Sequence, residues 1–156
     1  MYRRRNLSRT QVIRRRRPTE RIIRQGVANI PAVPNANVVG YVFTAKENGT
    51  ASNIKLETLI GQTSTNPMTI PYAVVYIPEG YDANNIAWPA VTDDLYNPTK
   101  YALITGILFD NQVRDSKSTR YSRKMVPGDR ISLIYRGTNS SVTAQVAFSI
   151  NFTFST

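Results

Sequence analysis

The stretch Val142-Thr143-Ala144-Gln145-Val146-Ala147-Phe148-Ser149-Ile150-Asn151-Phe152-Thr153-Phe154-Ser155 decides the fold class. Val142, Ala144, Val146, Phe148, Ile150, Phe152 and Phe154 share one parity, and Thr143, Gln145, Ala147, Ser149, Asn151, Thr153 and Ser155 share the other. Side chains alternate across a strand, so the pattern writes one apolar face and one polar face. It predicts a long half-buried strand whose apolar side needs a second layer to cover it. Upstream, Arg130 to Arg136 repeats the alternation with Ile131, Leu133 and Tyr135 on one side. Val126-Pro127-Gly128-Asp129 leads into it, and Pro then Gly suits the two central positions of a type II turn.

Further strands are expected at Val38 to Lys46, Ile54 to Thr63, Tyr72 to Ile77, Tyr101 to Phe109 and Ser118 to Met125. Asn48-Gly49 reads as a hairpin signal between the first two. Tyr101 to Phe109 is apolar on both faces through Leu103, Ile104, Ile107, Leu108 and Phe109, which predicts a central strand covered on both sides. About seven strands with no sustained helical period describe an antiparallel sandwich or barrel. The connection from Pro78 to Lys100 is long and carries Tyr81, Trp88 and Tyr96. Those aromatics suit a subunit interface, while Trp88 suits equally a cap on the domain's own core.

Charge divides the chain. Ten arginines lie in the first twenty-five positions: Arg3, Arg4, Arg5, Arg9, Arg14, Arg15, Arg16, Arg17, Arg21 and Arg24. Only Glu20 opposes them, so this segment holds +9 of the total +10, and ten Lys/Arg against nine Asp/Glu leave +1 for the rest. Guanidinium binds phosphate through a planar fork and stacks on bases, so a nucleic acid is the expected partner. Arg14 to Arg17 also suits a nuclear-import signal. Within the segment, Ser8 and Gln11 have capping-box spacing, and Pro18 blocks helix continuation. Thr19 is placed to cap a helical turn over Glu20 to Gln25, with Gly26 as its stop. These features divide the chain into an arm at 1–26, an extended linker at 27–37 and a β domain at 38–156. No stretch has the roughly 20 apolar residues of a membrane span, and no apolar leader opens the sequence, so use in the cytosol or nucleus is expected.

The residue types argue against an enzyme. Histidine and cysteine are both absent, which removes imidazole-dependent triads, thiol nucleophiles, disulfides and the commonest metal ligands. Asp82, Asp93 and Asp94 match no known metal loop and read as solvated carboxylates, so neither a metal nor a cofactor is expected. The acceptor triplets at Asn6, Asn48, Asn139 and Asn151 read as chance without an export signal. Arg114, Lys117, Arg120, Arg123 and Lys124 form a second basic cluster. Arg114 and Lys117 read as solvated or edge charges, whereas Arg120, Arg123 and Lys124 are candidate secondary nucleic-acid contacts. Strand parity sets Arg120 and Lys124 on the side of Ser118 and turns Arg123 the other way.

Three segments carry a resemblance. Pro71 to Gly80 reads PYAVVYIPEG, Leu95 to Asp110 reads LYNPTKYALITGILFD, and Thr119 to Gly137 reads TRYSRKMVPGDRISLIYRG. An apolar strand ending in Glu-Gly, a Leu-Tyr-x-Pro segment and the stretch Ser122-Arg123-Lys124-Met125-Val126-Pro127-Gly128-Asp129 follow one another in that order. The chain thereby resembles, over Pro71 to Thr156 and the basic arm, the capsid proteins of circovirus-like viruses with circular single-stranded DNA genomes that encode a replication initiator. Composition and spacing alone reach a β sandwich with a nucleic-acid arm. The resemblance implies an all-β fold with a single antiparallel jelly-roll sandwich, about sixty copies closing an icosahedral shell, and an arm that faces inward on single-stranded DNA. It implies a virion, assembly in the host nucleus and an unidentified host receptor. The alternative class is a ribosomal or other RNA-binding protein with a basic tail on a small β-barrel, whose body would itself be basic.

Overall fold

The computed structural model describes residues 18–33, 36–61, 69–81, 101–109, 114–137 and 143–156. Among them run β1 (Thr19–Ile30), β2 (Asn37–Thr44), β3 (Gly49–Ile60), β4 (Thr69–Ile77), β5 (Ala102–Phe109), β6 (Asp115–Thr119), β7 (Arg123–Met125), β8 (Arg130–Arg136) and β9 (Ala144–Ser155). One antiparallel sheet has the order β1-β9-β3-β6, with β7 also on β3, and the other has the order β2-β8-β4-β5. β6 lies along Ile54 to Thr58 and β7 along Gly49 to Ala51, so the two are pieces of one broken edge strand. Counted so, four strands face four. The chain passes from one sheet to the other after β1, β2, β3, β5, β7 and β8. This double wrapping is the jelly roll.

The core lies where the two inner faces meet, and β9 organises it. Its inner residues Ala144, Val146, Phe148, Ile150, Phe152 and Phe154 are all buried, as the alternation predicts. β9 is paired along both edges, with β1 from Thr19↔Ser155 to Ile30↔Ala144 and with β3 from Thr50↔Ser155 to Ile60↔Val146. Across the sandwich, Phe43 of β2 meets Phe152 edge-on, with ring centroids 5.1 Å apart at 76°. Such edge-to-face pairs add to area burial because a positive ring edge meets a negative ring face. In β3 the register slips between Ser52 and Lys55, where Asn53 takes φ 53. The extra residue of this bulge lets both Ala51 and Ile54 point inward, and Asn tolerates the left-handed conformation better than most residues.

Four expectations change. The helical turn over Glu20 to Gln25 is instead part of β1, which straddles the expected boundary between arm and linker at 26/27. Gly26 is no helix stop. It sits on the inner face under Phe148, where an added Cβ would stand 2.7 Å from Phe148 Cζ. Asn48-Gly49 makes no hairpin, because β2 and β3 belong to different sheets and the connection crosses between layers. Finally, Tyr101 to Phe109 is not central: β5 is an edge strand, with Ile107 and Phe109 exposed on its outer side. The strands buried on both faces are β4 and β8, where Ala73, Val75, Ile77 and Ile134 form a second apolar cluster behind the main core. The Pro127-Gly128 turn forms as expected, with Gly128 at φ +93 and Asp129 N–H donating to Val126 O at 3.1 Å.

Candidate nucleic-acid interface

β1 sorts the two arginines that it carries by parity. Arg24 stands opposite Ile150 of the core, on the inner side of an edge strand. From there its guanidinium donates to the Tyr41 phenol across the layers; burial raises the pKa of that phenol, and the arginine's charge and hydrogen bond oppose the rise. Arg24 Nη1 also donates to the Ile23 carbonyl at 3.2 Å. Arg21 stands opposite Thr153 and is exposed on the outer face of the first sheet. Arg3, Arg4, Arg5, Arg9, Arg14, Arg15, Arg16 and Arg17 lie outside the described residues. The point where that segment joins the sheet is pinned by Thr156 N–H donating to Pro18 O at 3.2 Å.

The second basic cluster is divided in the same way. Lys124 of β7 pairs with Thr50 and faces outward, on the side of Ser118 and Arg21. Arg123 pairs with Ala51 and faces inward, its guanidinium carbon 4.0 Å from the centre of the Tyr76 ring. That cation–π contact keeps Arg123 off the outer surface. Arg120 is exposed between β6 and β7. Lys117 pairs with Leu56 and so points to the other side of its edge strand. Arg114 and Lys55 both bind Glu57, the lysine at 2.9 Å. The hydrogen bonds from Lys55 and then Arg114 hold the Glu57 carboxyl below its ordinary pKa.

The turn motifs meet at one buried carboxylate. Asp129 Oδ2 accepts from the Tyr76 hydroxyl at 2.7 Å and from Val126 N–H at 2.9 Å, and Oδ1 accepts from Glu79 N–H at 3.0 Å. Thus the Glu79-Gly80 turn and the Ser122–Asp129 stretch, far apart in sequence, are tied through a single side chain. Burial pushes the Asp129 pKa up, yet the Val126, Tyr76 and Glu79 donors with the Arg123 charge outweigh it, and the net shift is downward. A second tie joins the sheets: the Tyr72 hydroxyl of β4 donates to Asp115 Oδ2 of β6 at 2.6 Å. Burial first and this bond second push the Tyr72 phenol far above its ordinary pKa. Both carboxylates thus serve as ties, Asp129 between two turns and Asp115 between the two sheets.

Of the candidate interface aromatics, Tyr81 is 60% exposed, and Trp88 and Tyr96 lie outside the described residues, as do Asp82, Asp93 and Asp94. Sequence reasoning passed over Lys55, whose place opposite Asn151 follows only from register, and the role of Asp129 as an acceptor for two turns. The Pro-Gly-Asp spacing was the one local signal for the latter.

No protein-family model matches the chain, and no curated protein does. Among solved structures, it is similar to a chain of the Israeli acute paralysis virus full particle heated to 63 degrees, at 11% identity and TM-score 0.38, over 88% of this chain and 71% of that one. It is also similar to a chain of infectious bursal disease virus, Gx strain, at 10% identity and TM-score 0.41, covering 89% of this chain and only 31% of the viral one.

Proposed function

We propose that the chain is a viral coat protein that assembles with its own copies into a small icosahedral shell and packages single-stranded DNA through its arginine-rich amino-terminal segment. The observation that carries this reading is the charge division across the fold. A segment of net +9 precedes or enters β1, and the remainder is a jelly-roll tile of net +1. A nearly neutral tile meets its copies without long-range self-repulsion. The cationic segment grips phosphate by releasing counterions, which is independent of base sequence and suits a whole genome. In about sixty copies these segments supply roughly 540 net positive charges to neutralise phosphates. The motif order from Pro71 to Gly137 supports the circovirus-like assignment, and Arg14 to Arg17 would direct the protein to the host nucleus for assembly.

Negative-stain electron microscopy with light scattering tests the shell. Uniform particles many times heavier than 17.5 kDa are expected. A monodisperse single chain at high concentration, indifferent to polynucleotide at low ionic strength, rejects the proposal. Nuclease digestion of purified particles distinguishes packaged DNA from RNA.

A further inference from the structure

Both outer faces of the sandwich carry exposed apolar side chains, Ile23, Val27 and Leu59 among them on the first sheet, and they differ in how their cations are set. On the second sheet, Val39, Val42, Ile107 and Phe109 are exposed around the buried cluster of Ala73, Val75, Ile77 and Ile134. Among the described residues its cations there are Arg130, engaged with the Tyr81 carbonyl, and Arg136 at the far end of β8, which is also engaged. On the first sheet, register builds rows across the strands. Lys124, Thr50, Ser155 and Thr19 align; next come Ser52, Thr153 and Arg21; then Ser118, Lys55, Asn151 and Ile23. Three cations therefore stand among hydroxyls and an amide, within about 15 Å of one another by strand spacing. Among the described residues the only carboxylate on this face is Glu57, and it is already held by Lys55 and Arg114.

We infer that the outer face of the β1-β9-β3 sheet is a second polynucleotide-binding surface, built on Arg21, Lys55 and Lys124, and that it sets this side of the tile toward the packaged strand. The inference rests on the reading of the arginine-rich segment as a nucleic-acid arm, and it adds which face of the folded domain continues that arm. The segment joins the sheet at Pro18, beside the row of Thr19 and Ser155, so a strand held by the arm is delivered to this end of the face. Ser, Thr and Asn side chains are common partners of phosphate and sugar oxygens. The paired strands of this face present no aromatic side chain among the described residues; the one aromatic beside them, Tyr121, is on the connection between β6 and β7. Contacts fall on the backbone, not the bases.

The test uses the full chain, kept below its assembly concentration, and fluorescent dT and dA oligonucleotides titrated across a salt series. Three variants are compared with the parent. The face variant is Arg21→Ser, Lys55→Thr, Lys124→Thr. The arm variant replaces Arg14, Arg15, Arg16 and Arg17 with Ser. The control is Lys46→Thr, Lys117→Thr, which removes charge from the connection between β2 and β3 and from the opposite side of β6. With the arm intact, the face variant should flatten the slope of log K against log salt by about 2, at roughly 0.7 per lost contact to a single strand, equally for dT and dA. The control should leave the slope in place. Circular dichroism of each variant confirms the fold. A face variant with the parental slope, beside an arm variant that flattens, overturns the second surface and leaves the arm reading standing. A control that flattens as much as the face variant also overturns it, since any positive charge would then serve. If neither arm nor face changes the slope, the arm reading falls and the second surface falls with it.

Discussion

Replacing Asp129 with Asn preserves size and shape but removes an acceptor where three donors converge. Tyr76 O–H and Val126 N–H share Oδ2, and Glu79 N–H uses Oδ1. An amide offers one oxygen and one NH2, so in either orientation at least one donor meets another donor. A hydrogen bond to a charged group contributes about 1.5–3 kcal/mol, and an orphaned buried donor costs about 1–3 kcal/mol. Asp129 is only 3% exposed, so water does little to compensate. Asp129→Asn should therefore lose about 3 kcal/mol at pH 7. The carboxylate adds a pH signature. Its pKa is lower in the fold than in the unfolded chain, so its stabilising contribution is fully present above the unfolded value of about 3.9 and is lost as pH falls through the folded value. The stability gap between parent and variant should hold steady from pH 7 to pH 5 and narrow below about pH 4. Urea unfolding of dissociated subunits, followed by circular dichroism at a series of pH values, measures both quantities. A gap under about 0.5 kcal/mol at pH 7, or one that does not narrow in acid, refutes the claim that this carboxylate ties the two turns.

Three further outcomes are expected. Gly106→Ala should destabilise by about 3–5 kcal/mol, because the new methyl would stand 2.7 Å from Tyr72 Cε1 and displace the ring from its bond to Asp115; a double-mutant cycle with Tyr72→Phe should show strong coupling, and additive losses speak against the displacement. Tyr135→Phe should be neutral or stabilising by up to about 1 kcal/mol, since the buried Tyr135 hydroxyl has no hydrogen-bond partner among the described residues; a large loss in thermal unfolding would reveal a partner. Phe152→Ala should cost about 3–5 kcal/mol, since Phe152 is 1% exposed and packs edge-on against Phe43; a negligible change is incompatible with the β9 register.

How far the fold was legible depended on whether each strand's pattern was set by one face or by its neighbours. β9 was plain because one face is core and the other is polar along its whole length. β8 was legible through Ile131, Leu133 and Tyr135, and its Pro-Gly turn through the need for a positive φ. β1 was hidden. Its inner positions include Arg24 and Gly26 and its outer ones Ile23 and Val27, so no alternation survives, and β9 rather than its own composition holds it extended. β5 misled in the other direction: apolar residues on both faces suggested a centre, yet the strand lies at an edge.

The arginine cluster and its contrast with a neutral remainder are properties of composition, so the expectation of a polyanion partner needed no coordinates. Which cations share a surface did not follow, because Arg21, Lys55 and Lys124 come from three strands and meet only through the pairings of β1, β9, β3 and β7. The amino-acid order by itself determined the strand character, the turn before β8 and the division of charge, because each depends on residues within a few positions of one another. Tertiary structure alone decided which strands lie at the edges, that Asn48-Gly49 crosses between sheets, and that Asp129 joins two distant turns. Those outcomes are set by long-range pairing across the sandwich, where the energy comes from covering one layer with another and not from any segment's own preference.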